Sequence, residues 1–199
     1  MTVTSFDDGL RRCPWGLDTP DYRDYHDREW GRPVRGDTAL FERLSLEAFQ
    51  SGLSWLTILR KRPAFREAFA GFDPVTVAGF GPSEVSRLLA DPGIVRNRAK
   101  IAATIHNAGA LLALVNREGA GALDRLVWSF APSQPPPAPR RVDELPSATE
   151  ASRALAGALR AAGFVFVGPT TAYATMQACG LVNDHLADCA FRQGRLSGR

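Results

Sequence analysis

ADPGIVRNRAKIAATIHNAGALLALV, residues 90–115, decides the fold class. Asp91-Pro92-Gly93 is a strong turn signal. Beyond it Ile101, Ile105, Ala108, Leu112 and Val115 step by three and four, which predicts a long amphipathic helix. Arg96, Arg98 and Lys100 stand at its start, where the helix macrodipole disfavours cations. Either an anion is expected there or the turn is a solvated basic one. Working upstream, Asp37 is placed to cap a helix with apolar positions Leu40, Phe41, Leu44 and Ala48. Gly52 breaks that helix, Leu53 to Lys61 begins another, Pro63 to Ala70 continues helically, and Ser83 to Leu89 is amphipathic. Downstream, Ser133 to Pro139 is an extended, proline-rich connection. Ser147 with Glu150 reads as a capping box for a helix bearing Leu155 and Leu159 that stops near Gly163. Phe164 to Val167 has the composition of a strand but no partner strand in the chain, so it reads as a tight hairpin entering a helix over 170–179. The pattern is helices joined by short loops, an all-α fold.

At 199 residues the chain can bury a core without covalent staples. Three cysteines and no apparent secretory signal point to a reducing, cytoplasmic setting, where Cys near His means metal more often than a bridge. No apolar run approaches the roughly 20 residues of a membrane span. The net charge of +3 is a weak hint of a polyanionic partner.

Residues 12–31, RCPWGLDTPDYRDYHDREWG, mix a Cys and a His with Trp15, Tyr22, Tyr25 and Trp30. In a helix, Tyr22, His26 and Trp30 would share one face with Tyr25 beside them. Near the other end, NDHLADC spaces His185 and Cys189 by four, which suits zinc on one side of a helix. Cys13 and His26 complete a Cys₂His₂ set; the alternative is a core helix with a satisfied histidine. Cys179, in an apolar run, reads as core, and His106 as a surface or helix-end residue. A closed four-ligand site would be structural, because no position is left for water.

Glu47 falls on or beside the buried face of its helix, an odd place for a carboxylate, with Trp55 eight residues on. Together with Trp15, Tyr22, Tyr25 and Trp30 it reads as a pocket for a flat, electron-poor or cationic group, or else as a carboxylate paired with an arginine. Two glycine turns, LLADPGIVRNRAK and GFVFVGPTTAYA, each precede a helix. Amides at such turns, around Gly168 in the second, can hold a phosphate. The sequence contains no P-loop, GxGxxG, GxSxG or HExxH motif.

RCPW, YHDREWG, LEAFQSGLSW, GIVRNRAKI and FVGPTTAYATMQACGLVNDH, in this order from Arg12 to Cys189, resemble the DNA-3-methyladenine glycosylase I family of bacterial alkylation-repair enzymes. The resemblance implies a helix-hairpin-helix DNA glycosylase fold in which zinc joins the N- and C-terminal segments. It implies one unit over 11–192, in which zinc joins segments 11–35 and 180–192 to each other around a hairpin-containing body over 36–179; the ends 1–10 and 193–199 fall outside the resemblance and are expected to be flexible. The family's zinc ligands fall on Cys13, His26, His185 and Cys189. Its base-pocket residues fall on Trp15, Tyr22, Tyr25, Trp30, Glu47 and Trp55. The usual catalytic aspartate of the superfamily is missing; Asp184 lies near where one would be sought but adjoins a zinc ligand and reads as structural.

The implied activity is hydrolytic release of 3-methyladenine from alkylated double-stranded DNA, leaving an abasic site, with Glu47 as the catalytic carboxylate. Lys61 and Lys100 are the only lysines and neither is placed for a Schiff base, so a monofunctional enzyme without lyase activity is expected; a monomer is expected as well. Arg96, Arg98, Lys100 and the Gly168 hairpin are expected on the DNA backbone. The rival reading is a non-catalytic, zinc-stabilised DNA-binding module, which would have no use for Glu47 among tryptophans.

Overall fold

The structure, a computed structural model, describes residues 1–5, 8–17 and 19–192. The segment 193–199, expected as a flexible end, lies outside the described residues. Near the N-terminus, part of the other expected flexible end forms a short antiparallel ladder: β1 (Thr4–Ser5) pairs with β2 (Arg11–Arg12), Thr4 opposite Arg12. The rest of the regular structure is helical. A 3₁₀ turn over Pro14–Leu17 leads to α1 (Pro20–Arg28), α2 (Asp37–Gln50), α3 (Trp55–Ala68), α4 (Pro74–Ala78) and α5 (Pro82–Ala90). Then follow α6 (Arg98–Glu118), α7 (Ala122–Trp128), α8 (Glu150–Ala161) and α9 (Pro169–Ala178). None of these helices is long and apolar enough to cross a membrane.

Local chemistry sets the helix starts. Ser54 Oγ accepts from Thr57 N to cap α3, and Asn97 Oδ1 accepts from Lys100 N to cap α6. The expected cap at Ser147 is displaced by two residues: Thr149 caps α8, exchanging hydrogen bonds with Ser152. Asp37 does not cap its own helix. Its carboxylate accepts from Gly121 N and Asp124 N at 2.9 Å each, the start of α7, while Asp124 Oδ1 accepts from Gly36 N ahead of α2. Two helix N-termini thus exchange caps, because packing brings Asp37 closer to its neighbour's free amides than to its own.

The long helix α6 exists as predicted, but its buried face is Ile101, Thr104, Ala108, Leu111 and Leu114, with Ile105, Leu112 and Val115 half-buried. It packs against α2, α4, α5 and α7, so its covered stripe is wider than one apolar edge. The core between α2 and α3 is rich in phenylalanine: Phe41, Phe49, Phe65, Phe69 and Phe72 are fully buried. Phe65, Phe69 and Phe72 stack in turn, the last pair 5.4 Å apart.

Two helical hairpins, α5–α6 and α8–α9, lie where the glycine turns were read. The second is braced from outside: the Asn107 amide bonds the N–H and C=O of Val165 at 2.8 and 3.0 Å, and His106 Nε2 bonds Gly163 O. His106 is exposed at the surface, as expected. Finally, α9 packs across α2. That crossing sets one wall of the site opposite another.

Candidate functional site

Two devices share the N-terminal segment. In the first, Cys13, His26, His185 and Cys189 are all buried, and one ligand atom of each lies within 4.8 Å of all the others. His185 Nδ1 is 3.2 Å from His26 Nε2; the sulfur–nitrogen separations are 3.6–3.7 Å. A tetrahedral ion with bonds of about 2.05 Å to nitrogen and about 2.3 Å to sulfur has nitrogen–nitrogen and sulfur–nitrogen edges of about 3.3 and 3.6 Å, which the His185–His26 separation and these three sulfur–nitrogen separations match. The outer ring nitrogens are engaged elsewhere: His26 Nδ1 meets Asp27 Oδ1 at 2.8 Å, and His185 Nε2 lies 3.2 Å from Trp30 O. This fixes which nitrogen of each ring faces inward. Asp27 is held in turn by the Arg12 guanidinium. Contact with Cys189, then burial, pushes the Cys13 thiol far up, while the same contact holds Cys189 low. A cation among the four would remove the conflict. The chemistry of the donor set therefore fits a metal held by two thiolates and two imidazoles.

The second device is a cavity of about 230 Å³ lined by Trp15, Tyr22, Tyr25, Trp30, Glu47, Gln50, Trp55, Leu145, Ala174 and Gln177. It is smaller than the usual range for drug-sized ligands, which suits one planar base rather than a whole nucleotide. Every predicted pocket residue is in its wall. Helix α1 ends at Arg28, so Trp30 is not on it; the chain turns at Gly31 (φ 77°), and Trp30 still meets Trp15 edge to face, 4.8 Å between centroids. Tyr25 tilts against Trp55 at 5.4 Å. The two devices touch, since Trp15 packs on His26 at 5.0 Å and Trp30 on His185 at 4.6 Å.

Glu47 forms the polar centre of the cavity. It is 5% exposed and receives no hydrogen bond from any described residue. Burial pushes its carboxyl up to about 8, against the opposing pull of Arg43 one turn earlier on α2. Arg43 does not form an ion pair with it; its Nη2 goes to Glu29, which also takes both terminal nitrogens of Arg62. A carboxyl buried without a protein partner awaits a donor from outside.

Four wall residues, Gln50, Leu145, Ala174 and Gln177, were not anticipated. Gln177 carried the same signal that exposed Glu47, a polar group inside an apolar helical run. Leu53 follows α2 with 43% exposure and borders a second cavity, of about 270 Å³, shared with Glu47, Gln50, Thr170 and Thr171.

One expected DNA contact is corrected. Lys100 is 7% exposed, and its Nζ donates to Phe49 O at 2.8 Å and Ser51 O at 2.6 Å. It closes the C-terminal end of α2, where a cation is favoured, and cannot reach a phosphate. Arg96 and Arg98 are exposed. Asp184 is buried and takes Tyr173 and Gln177 as donors, outside both the metal set and the cavity wall.

A mostly helical body with two helical hairpins thus stands beside a ring-walled, carboxyl-centred cavity of single-base size. The methyladenine glycosylase family model matches residues 15–193. DNA-3-methyladenine glycosylase 1 of Escherichia coli is 46% identical over 186 residues, covering 93% of this chain and 98% of that protein. A crystal structure of 3-methyladenine DNA glycosylase I is 47% identical, with a TM-score of 0.84 over 90% of this chain and 98% of the other. A variant of 3-methyladenine DNA glycosylase I in complex with 3-methyladenine is 34% identical, with a TM-score of 0.83 over 91% and 97%. The chain belongs to the methyladenine glycosylase family.

Proposed function

We propose that this protein is a DNA repair glycosylase that extrudes 3-methyladenine from alkylated duplex DNA and releases it by hydrolysis, leaving an abasic site. The observation that carries this reading is Glu47, buried without a protein partner in a ring-walled cavity. A relative with a known bound ligand carries 3-methyladenine.

N3-alkylation leaves the base cationic in DNA and already a good leaving group, so a strong acid is not needed. The protein supplies extrusion, which costs a few kcal/mol of unstacking, together with recognition. In this reading Trp55 stacks on the base, Tyr22 and Tyr25 line its edge, and Trp15 and Trp30 close the pocket. Glu47 accepts from the amino edge. The cationic base favours ionisation of Glu47, whose carboxyl burial otherwise holds high, and as a carboxylate it also stabilises the positive charge that spreads onto the sugar as the bond to C1′ lengthens. The base departs as neutral 3-methyladenine with the electrons of the broken bond, and water adds at C1′, releasing one proton to solvent.

Lys61 donates to Pro92 O and Lys100 to two carbonyls. Both amines are occupied away from the cavity, which supports monofunctional hydrolysis without strand cleavage. Arg96 and Arg98, with amides at the α9 N-terminus after Gly168, are the proposed backbone contacts. The metal is proposed to be one structural zinc, held by Cys13, His26, His185 and Cys189; a monomer in the cytoplasm is the working state. The test is release of free 3-methyladenine from methylated DNA by the purified protein, with 7-methylguanine release from the same DNA as the measure of specificity.

A further inference from the structure

We infer that Gln177 is a specificity-determining residue, its amide locked by Asp184 so that the oxygen faces the base cavity and selects a 6-amino over a 6-oxo purine. This rests on the cavity being the base pocket.

Gln177 stands on α9, one turn after Ala174, and both line the cavity across from Glu47 on α2. A glutamine amide can present either end, and only its surroundings decide which. Here they do decide. Gln177 Nε2 donates to Asp184 Oδ2 at 2.8 Å, and the same oxygen receives the Tyr173 hydroxyl proton at 2.5 Å. Asp184 is 5% exposed and has no cationic partner among the described residues, so it depends on these two donors. A carboxylate accepts; turning the amide over would set two oxygens against each other inside the protein and leave a buried acceptor unsatisfied. The nitrogen is therefore committed to Asp184, which leaves Oε1 as the end available to the cavity. No described residue donates to it.

An acceptor fixed in that wall separates two classes of base. Adenine derivatives carry an amino group at C6, with N–H to give; guanine and hypoxanthine derivatives carry a carbonyl there. The first would find a partner on Gln177, the second an opposing lone pair. Glu47 cannot make this distinction well by itself. Its carboxyl, pushed up to about 8 by burial, can donate as well as accept near neutral pH, and so tolerates either edge. Gln177 has no such freedom while Asp184 holds its nitrogen. Asp184 acts through Gln177 and is a positioning residue.

The experiment is a titration of free 3-methyladenine and 3-methylhypoxanthine into the full-length protein, followed by the fluorescence of the pocket tryptophans. Wild type should bind the amino base at least tenfold more tightly than the oxo base, the selectivity of about one hydrogen bond made or refused. Gln177→Met should lower that ratio about tenfold, chiefly by weakening 3-methyladenine. Asp184→Asn, whose side chain can donate to the glutamine oxygen and let the amide turn, should narrow the ratio with Gln177 still present. Loss of packing alone would weaken both bases together and leave the ratio unchanged; that result in Gln177→Met overturns the inference while leaving the pocket reading intact. Wild-type protein that binds neither base would remove the pocket reading, and this inference with it. If Asp184→Asn does not fold, Gln177→Met decides the question alone.

Discussion

Trp30 and His185 meet edge to face with centroids 4.6 Å apart, and the His185 Nε2 is 3.2 Å from the Trp30 carbonyl oxygen. One residue lines the cavity and the other points its Nδ1 at the converging thiols. The set of Cys13, His26, His185 and Cys189 therefore bears directly on the wall of the cavity, and Trp15 against His26 repeats the arrangement. A metal held by these four residues would fix ring positions as well as add folding free energy.

Removing the ion should consequently disturb the pocket before it unfolds the body. Purified protein is expected to contain about one zinc per chain. Chelation at low denaturant should shift tryptophan fluorescence and abolish binding of free 3-methyladenine, with far-UV circular dichroism mostly retained. Cys189→Ala should do the same. A metal-free protein with unchanged base affinity would separate the clip from the pocket.

Lys100 and the exposed arginines should part company in DNA binding. Arg96→Ala and Arg98→Ala should each lower the slope of log affinity against log salt by about 1. Lys100→Met should leave that slope alone and instead destabilise the fold by about 2 kcal/mol, the loss of charge-assisted hydrogen bonds at the end of α2. Salt titrations of DNA binding and denaturant melts of the three variants check this.

How much of this was legible in the sequence differs by feature. Periodicity found the helices, and ligand spacing with aromatic clustering picked out the four Cys and His residues that the fold brings together and six of the cavity's lining residues, because those signals sit on side chains close in sequence or of rare type. What failed were exchanges between distant segments. Asp37 looks like a cap for its own helix and caps α7, 84 residues away at Gly121. Lys100 looks like a phosphate ligand at a helix start, yet its stem lets the ammonium reach the end of α2. Gln177 stands out locally as a polar group in an apolar helical run, but its place in the wall depends on α9 crossing α2, which no local pattern encodes.

The exchanged cap carries a stability cost of its own. Asp37→Ala leaves two amides at the start of α7 without their acceptor and should cost about 1–2 kcal/mol. Base affinity should hardly change, since Asp37 is not in the cavity wall. Thermal melts beside base titrations measure both.

The pH dependence follows from Glu47. Its carboxyl is raised from 4.5 to about 8, so the folded state holds a proton that the unfolded chain has released. The associated stability is full below about pH 4.5 and is lost as pH rises through 8. Glu47→Gln, which never ionises, should therefore gain stability relative to wild type across that window and hold the gain above it. Paired melts at pH 5 and pH 8.5 read the difference; equal gaps at the two pH values would contradict the raised carboxyl.

The central claim is that a buried carboxyl in a ring-walled pocket releases the alkylated base. Single-turnover release of 3-methyladenine from methylated duplex DNA by wild type and by Glu47→Gln, both of verified zinc content, tests it most directly. The account predicts free base and unbroken abasic strands from wild type, and at least a hundredfold slower release from the variant, the loss of one preorganised charge at the reacting centre. Equal rates from the two proteins would contradict it.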